Sequence, residues 1–151
     1  PPPSPDETPR PTAEEVMVRR VIDGDTVVLA DGRVVRYIGI DTPETGGGRQ
    51  KVECFAQEST ERNRELAEGK PVCLEKDVSE TDRYGRILRY VYVGDVFVNE
   101  TLVNEGYAAA YPYPPDVKYR DVFRTAEREA RASGRGLWGA ACTRSKHPRN
   151  G

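Results

Sequence analysis

Histidine is almost absent from this sequence. The one histidine in 151 residues is His147, near the C-terminus. Triad chemistry, histidine–zinc centres and imidazole general bases therefore have almost nothing to rest on. Cysteine is sparse as well, and the separations of Cys54, Cys73 and Cys142 exclude a C-x-x-C redox or zinc motif. No apolar run approaches the roughly 20 residues that span a bilayer. A basic excess is also missing. The formal net charge is −2, so any grip on nucleic acid must come from a local patch rather than the overall field. Residues 45–51 read as a mobile loop around Gly46-Gly47-Gly48, but the Walker pattern of a phosphate cradle is absent.

What is present suits one domain with one core. Residues 1–15, with prolines at 1, 2, 3, 5, 9 and 11, read as a disordered linker. Residues 16–140 read as the folded domain and 141–151 as a flexible tail. The chain opens on Pro1 rather than Met. The expectation is an exported protein whose targeting segment lies upstream, with membrane attachment only through an anchor there.

Within the domain, residues 16–22, 26–29, 34–40, 70–75 and 87–93 are rich in β-branched and aromatic residues and read as strands. Asp31-Gly32 marks a hairpin between the second and third. Residues 55–68, 98–105 and 116–132 read as helices, stopped by Gly69, Gly106 and Gly134. The last has the stripe Tyr119, Val122, Phe123, Ala126 and Ala130, and Leu137-Trp138-Gly139 beyond it is expected to plug one side of the core. The class this predicts is α+β with a mainly β core: a five-stranded OB-fold barrel with three packed helices.

The chemistry gathers around Ile40-Asp41-Thr42-Pro43-Glu44. Two carboxylates stand three residues apart where Pro43 must end a strand, at an expected barrel rim. Asp23-Gly24-Asp25-Thr26 is a second acidic element, and Arg36 lies inside the strand leading to Asp41. Acids gathered with an arginine suit a hard metal ion and an anionic substrate. Period-two alternation puts Arg36, Ile38 and Ile40 on one face and Asp41 on the other. One site can use both Arg36 and Asp41 only if the chain twists or bulges near Gly39. Taken singly, each residue has a plainer reading. Asp25 is a turn residue, Glu44 a solvated acid, Arg36 an ion-pair partner, Arg86 a surface charge, and Asp82 a loop cap.

Taken in order, the motifs resemble the staphylococcal nuclease (thermonuclease) family. They are Asp23-Gly24-Asp25-Thr26, Arg36 before Asp41-Thr42-Pro43-Glu44, Thr81-Asp82-Arg83-Tyr84-Gly85-Arg86, and Val98-Asn99-Glu100. The resemblance runs from about residue 16 to residue 138. It implies an OB-fold enzyme that hydrolyses phosphodiesters of DNA and RNA with Ca2+. A preference for single-stranded or opened nucleic acid is expected from Tyr84, Tyr111 and Tyr113 as faces for exposed bases, and a monomer without a small-molecule cofactor is expected. Asp25 and Asp41 would bind the ion through carboxylates and Thr42 through its backbone carbonyl. Glu44 would sit beside the attacking water, and Arg36 and Arg86 would hold the phosphate. Arg83, Tyr84, Tyr111 and Tyr113 would line the nucleotide pocket. The competing reading is a catalytically silent OB-fold module that binds single strands or a protein partner.

Cys54 is expected to pair with Cys142, because Cys54 opens the first helix and the segment before Cys142 should fold back on the domain. Cys73, between Val72 and Leu74, is expected to be a free, buried strand residue. The alternative is three free thiols in a cytoplasmic protein.

Overall fold

The computed structural model describes residues 13–46 and 53–143. Its centre is a closed five-stranded barrel of β1 (Ala13–Asp23), β2 (Thr26–Leu29), β3 (Val34–Tyr37), β5 (Pro71–Glu75) and β6 (Ile87–Val93). β1 is antiparallel to both β2 and β5, β2 to β3, and β5 to β6. The barrel closes where β3 pairs in parallel with β6, Val35 opposite Ile87 and Tyr37 opposite Arg89. The long β1 serves two neighbours in succession. Its first half lies on β5 from Ala13 to Met17, its second half lies on β2, and register shifts after Val18 and Val21 turn the corner between them. β4 (Ile40–Asp41) pairs with β8 (Ala109–Ala110) outside the barrel, and β7 (Val96–Phe97) extends β6 as a hairpin.

The inward side chains explain why the barrel closes. Val18, Val27, Leu29, Val35, Tyr37, Leu74 and Val91 are buried together, covered by Leu102 of α2 (Val98–Asn104) and by Phe123 and Ala126 of α3 (Arg120–Ala132). Removing a Val- or Leu-sized side chain from water is worth about 1.5–3 kcal/mol. α1 (Ala56–Ala67) lies against β1 with Asn63 and Ser59 buried on its inner side. Asn63 belongs there because it accepts from Tyr37 Oη at 2.6 Å and donates to the Asp23 carbonyl at 2.9 Å.

Several expectations are corrected. Residues 13–15 belong to β1 rather than to the linker, since ladder pairing of Glu14 with Leu74 and Glu15 with Cys73 overrides their polar composition. The expected strand 34–40 breaks into β3 and β4 at Ile38-Gly39, where Gly39 has φ +81°. A Cβ on Gly39 would meet the Phe123 ring at 2.5 Å, so the turn needs glycine for room as well as for backbone freedom. Residues 116–119 precede α3 instead of opening it. Asp116 is buried and accepts the N–H groups of Val78 and Ser79, which staples the 76–86 loop to the start of that segment. Val122 faces outward, so the buried stripe is narrower than expected.

A fourth helix, α4 (Ala140–Thr143), follows a short 3-10 turn at Gly136–Trp138. Leu137 and Trp138 are half-buried but do not join the residues packed against the main core, so the expected plug is not formed; Trp138 packs under Arg131 instead, whose guanidinium lies 4.0 Å from its ring centroid. The start of the expected tail is thus ordered. Cys142 is disulfide-bonded to Cys54, with Cα atoms 5.7 Å apart, and Cys73 is free and half-buried. The linker up to residue 12, most of the loop at 45–51 and the tail from 144 lie outside the described residues.

One buried charge ties the segment leading into α3 to the barrel and makes stability sensitive to acid. Glu75 accepts from Tyr92 Oη and Tyr119 Oη and pairs with Lys118 Nζ. Burial works against its charge, but the bonds from Lys118, Tyr119 and Tyr92 outweigh it and hold the carboxyl below its usual range. A carboxyl depressed in the folded state contributes stability above its unfolded pKa of about 4.3, and loses it as pH falls through the folded value. Glu75→Gln is expected to flatten the fall in melting temperature below pH 4.5. An unchanged acid limb in thermal melts would remove Glu75 as its cause.

Candidate active site

The site begins at the turn between β1 and β2. Gly24 lies so close to the chain leaving β4 that a Cβ on it would meet Thr42 at 2.8 Å. That contact carries Asp25 under the Ile40–Thr42 segment. Asp25 is buried, accepts from Thr26 Oγ1 at 3.0 Å through Oδ1, and accepts the Thr42 N–H at 3.0 Å through Oδ2. It is a fixed acid rather than an exposed rim residue.

Arg36 fills the hollow of the turn that follows it. Its Nη1 donates to the carbonyls of Tyr37 at 2.6 Å and Ile40 at 3.0 Å, and its Nη2 lies 3.4 Å from Asp25 Oδ2 and 3.6 Å from Asp41 Oδ1. The turn at Gly39 therefore reverses the strand alternation and brings Asp41 round to Arg36. Asn99, buried at the start of α2, holds this turn from behind. It donates to the Ile38 carbonyl and accepts the Val91 N–H, both at 2.9 Å. Asp41 keeps a side-chain exposure of 38%, against 8% for Asp25. One acid is anchored and the other is open to solvent.

Asp23 adds a charge that the motif reading did not use. Its Oδ1 accepts the Asp25 N–H at 3.1 Å. Burial first, and then the neighbouring Asp25 carboxylate, push its carboxyl up to about 7. Asp25 and Asp41 meet at one guanidinium and offer only oxygen donors, which suits a hard divalent cation better than a thiolate- or imidazole-seeking metal. Among the described residues no group of three or more His, Cys, Asp or Glu side chains is placed to hold a metal ion, so a cation beside Asp25 and Asp41 would draw on backbone oxygen or water as well.

Arg86 lies in the loop just before β6, next to Ile87, which pairs with Val35 of β3. The 82–86 loop is built on Asp82, whose Oδ1 accepts the N–H groups of Tyr84 and Arg86 and whose Oδ2 takes Arg86 Nε at 2.7 Å. Burial opposes ionisation of Asp82, but these bonds prevail and keep its carboxyl below the ordinary range. Capping and arginine orientation are thus one device. Arg83 Nη2 donates to Tyr84 Oη at 2.6 Å, and the guanidiniums of Arg83 and Arg86 lie 4.9 and 5.4 Å from the Tyr84 ring centroid.

Tyr111 is delivered by the β4–β8 pair, its N–H donating to the Gly39 carbonyl at 2.8 Å. Its ring stacks on Tyr113 with centroids 6.2 Å apart. Tyr84, Tyr111 and Tyr113 are exposed. Exposed rings beside arginines make a surface on which bases of any identity can stack. Glu44 stands apart from this set. It is exposed, and what holds it is backbone: its N–H donates to Glu53 Oε1 at 2.8 Å and its carbonyl accepts the Glu53 N–H at 2.9 Å.

The structure therefore joins Asp25, Arg36, Asp41 and Thr42 in one contact group. It places Arg83, Tyr84 and Arg86 in a second and Tyr111 with Tyr113 in a third. Asp23, Glu53, Asn63 and Asn99 were missed as supports. Only the D-G-D and V-N-E motifs carried a sign of two of them.

A small closed β-barrel with an acid–arginine site at one seam and exposed tyrosines beside it defines the class. A family model described as "Staphylococcal nuclease homologue" matches residues 34–140, and the chain belongs to that family. The match takes in Arg36, Asp41, Glu44 and Arg86 and begins after Asp25. The chain is 42% identical over 128 residues to endonuclease YncB of Bacillus subtilis (strain 168), covering 82% of this chain and 61% of that protein. It is 42% identical over 129 residues to the SPbeta prophage-derived endonuclease YokF of the same organism, covering 82% and 44%. It is 39% identical over 128 residues to a thermonuclease of Staphylococcus intermedius, covering 83% and 76%. The aligned stretch thus spans less than two thirds of either Bacillus relative.

Proposed function

We propose that this chain is a calcium-dependent nuclease that hydrolyses phosphodiester bonds of DNA and RNA and prefers single-stranded or opened substrate. The observation that carries the reading is the Arg36 guanidinium, held 3.4 Å from Asp25 and 3.6 Å from Asp41 beside an open face. The names of the relatives, two endonucleases and a thermonuclease, point the same way.

Asp25, Asp41 and the Thr42 carbonyl would hold Ca2+. Bound there, the ion would supply Lewis-acid neutralisation of phosphate charge. The chain's own groups do the rest. Arg36, held charged between the acids, and Arg86, whose Nε is taken by Asp82, would meet the phosphate oxygens with their remaining N–H groups, where negative charge grows as water attacks. Glu44 orients that water and accepts its proton as the new P–O bond forms and the old one breaks. Tyr84, Tyr111 and Tyr113 offer faces to unstacked bases, with Arg83 adding local positive charge that the net −2 of the chain does not provide. A closed duplex withholds those base faces, hence the preference for opened strands. The protein acts as a monomer on this reading, and the Cys54–Cys142 bridge favours an oxidising, exported setting.

The test measures initial rates on matched single-stranded DNA, duplex DNA and RNA, with calcium and with excess chelator. Cleavage only with calcium, fastest on the single strand, is expected. Full activity in chelator overturns the metal, and equal rates on both DNAs overturn the tyrosine assignment. Tight single-strand binding without cleavage identifies a silent binding module. Asp41→Asn is expected to raise the calcium needed for half-maximal rate while leaving the melting temperature near that of the parent. Asp25→Asn is the poorer probe, because Asp25 is buried among its own hydrogen bonds.

A further inference from the structure

Glu44 is held by the segment just before α1. The Glu53 carboxylate accepts its N–H and the Glu53 N–H donates to its carbonyl, so a two-point backbone clip fixes the base of the Glu44 segment. Cys54 is the next residue along, and its sulfur is bonded to Cys142 of α4. The far end of the bridge is anchored as well. Leu137 N–H donates to the Gly106 carbonyl, Gly136 lies against the Phe55 ring, and Phe55 stacks on Tyr107 with centroids 5.3 Å apart. Phe55 itself has φ +73°, a left-handed conformation costly for a bulky residue that the surrounding contacts must hold. Glu44 is thereby connected through Glu53 and Cys54 to the C-terminal segment, which lies far from the phosphate-facing arginines in sequence.

We propose that Glu53 is a positioning residue for Glu44 and that the Cys54–Cys142 disulfide sets how firmly it does so, making cleavage dependent on redox state. This rests on the nuclease reading above. Cys54 is exposed and reachable by a dithiol. The dithiol gives two electrons and two protons, the Sγ–Sγ bond breaks, Cys54 and Cys142 become thiols, and the dithiol closes to its own disulfide. With α4 released, nothing covalent holds the Glu53 clip, and the Glu44 carboxylate spends less time beside the attacking water. The step affected is proton acceptance, so kcat should fall while KM stays.

The experiment compares the oxidised parent, the dithiol-reduced parent, Cys142→Ser and Glu53→Ala, which removes the side-chain acceptor and keeps the bridge. Each is assayed on single-stranded DNA with calcium, at a temperature where circular dichroism shows it folded. Reduction and Cys142→Ser are each expected to lower kcat about tenfold with KM unchanged, and Glu53→Ala by several-fold. In a Glu44→Gln background, reduction is expected to change nothing further. Amide exchange at Glu44, read on the same samples without substrate, is expected to speed up on reduction. An unchanged kcat on reduction overturns the proposal. So does an equal loss in the Glu44→Gln background, which would mark general loosening. If the oxidised parent cleaves nothing, the nuclease reading fails, and the Glu44 amide alone decides whether the clip depends on the bridge.

Discussion

Arg36→Ala is expected to slow cleavage by about 100- to 1,000-fold, the usual effect of removing one donor aimed at transition-state charge, or about 2.7–4 kcal/mol. The loss should exceed that of a simple substrate contact, because Arg36 also holds the site's shape. Its Nη1 satisfies the Tyr37 and Ile40 carbonyls of the turn, and its Nη2 stands between Asp25 and Asp41. Without it the acids lose their shared cation and the turn loses two hydrogen bonds of about 0.5–1.5 kcal/mol each. Arg36→Lys separates the two roles. An ammonium keeps the charge but cannot fork to two carbonyls and two carboxylates together. Its kcat/KM on single-stranded DNA should stay far below the parent, while its urea midpoint falls only modestly. A lysine variant that cuts like the parent would mean that charge alone matters at this position.

Removing the bridge should have the largest effect on stability. It closes a loop with a sequence separation of 88. Chain entropy alone puts its contribution near 4.6 kcal/mol, an upper bound because unfolded chains retain structure. Against a typical net stability of about 5–15 kcal/mol, that loss would lower the melting temperature by many degrees. The double variant Cys54→Ser/Cys142→Ser should melt well below the parent and lose the Leu137–Trp138 packing first. Coincident melts of parent and variant would show that the non-covalent contacts of the 135–143 segment suffice.

The barrel was legible because its strands are written as β-branched runs separated by glycine turns, and each run buries one face. Arg36 and Asp41 were legible as a pair in need of a bend, and Gly39 supplied it. That the strand would stop there was not, since 34–40 reads as one β-rich run, and the close approach of the Phe123 ring to Gly39 shows itself only in the fold. The late start of α3 was hidden for a similar reason. Helical spacing extends back to Asp116, but that carboxylate is claimed by Val78 and Ser79 from a distant loop. Asn63 carried no local sign of its role, because its two partners lie on β1 and β3. Periodicity reports which face is inward. It does not report which buried polar group is answering another.

The parallel seam between β3 and β6 also bears on how the protein reaches its working state. β1, β2 and β3 are joined by short turns and can form a meander early, whereas β3 meets β6 only after α1, β5 and a long loop have been placed. Contacts between residues so distant in sequence form late, because the chain must give up its freedom before they reward it. Arg36 lies on one side of that seam and Arg86 just before the other. A refolding chain is therefore expected to recover far-ultraviolet signal before it recovers cleavage, and simultaneous recovery would contradict a late seam. If the proposed reading holds, a newly made chain has no assembled site until the barrel has shut, and activity waits on the last step of folding rather than on its first structure.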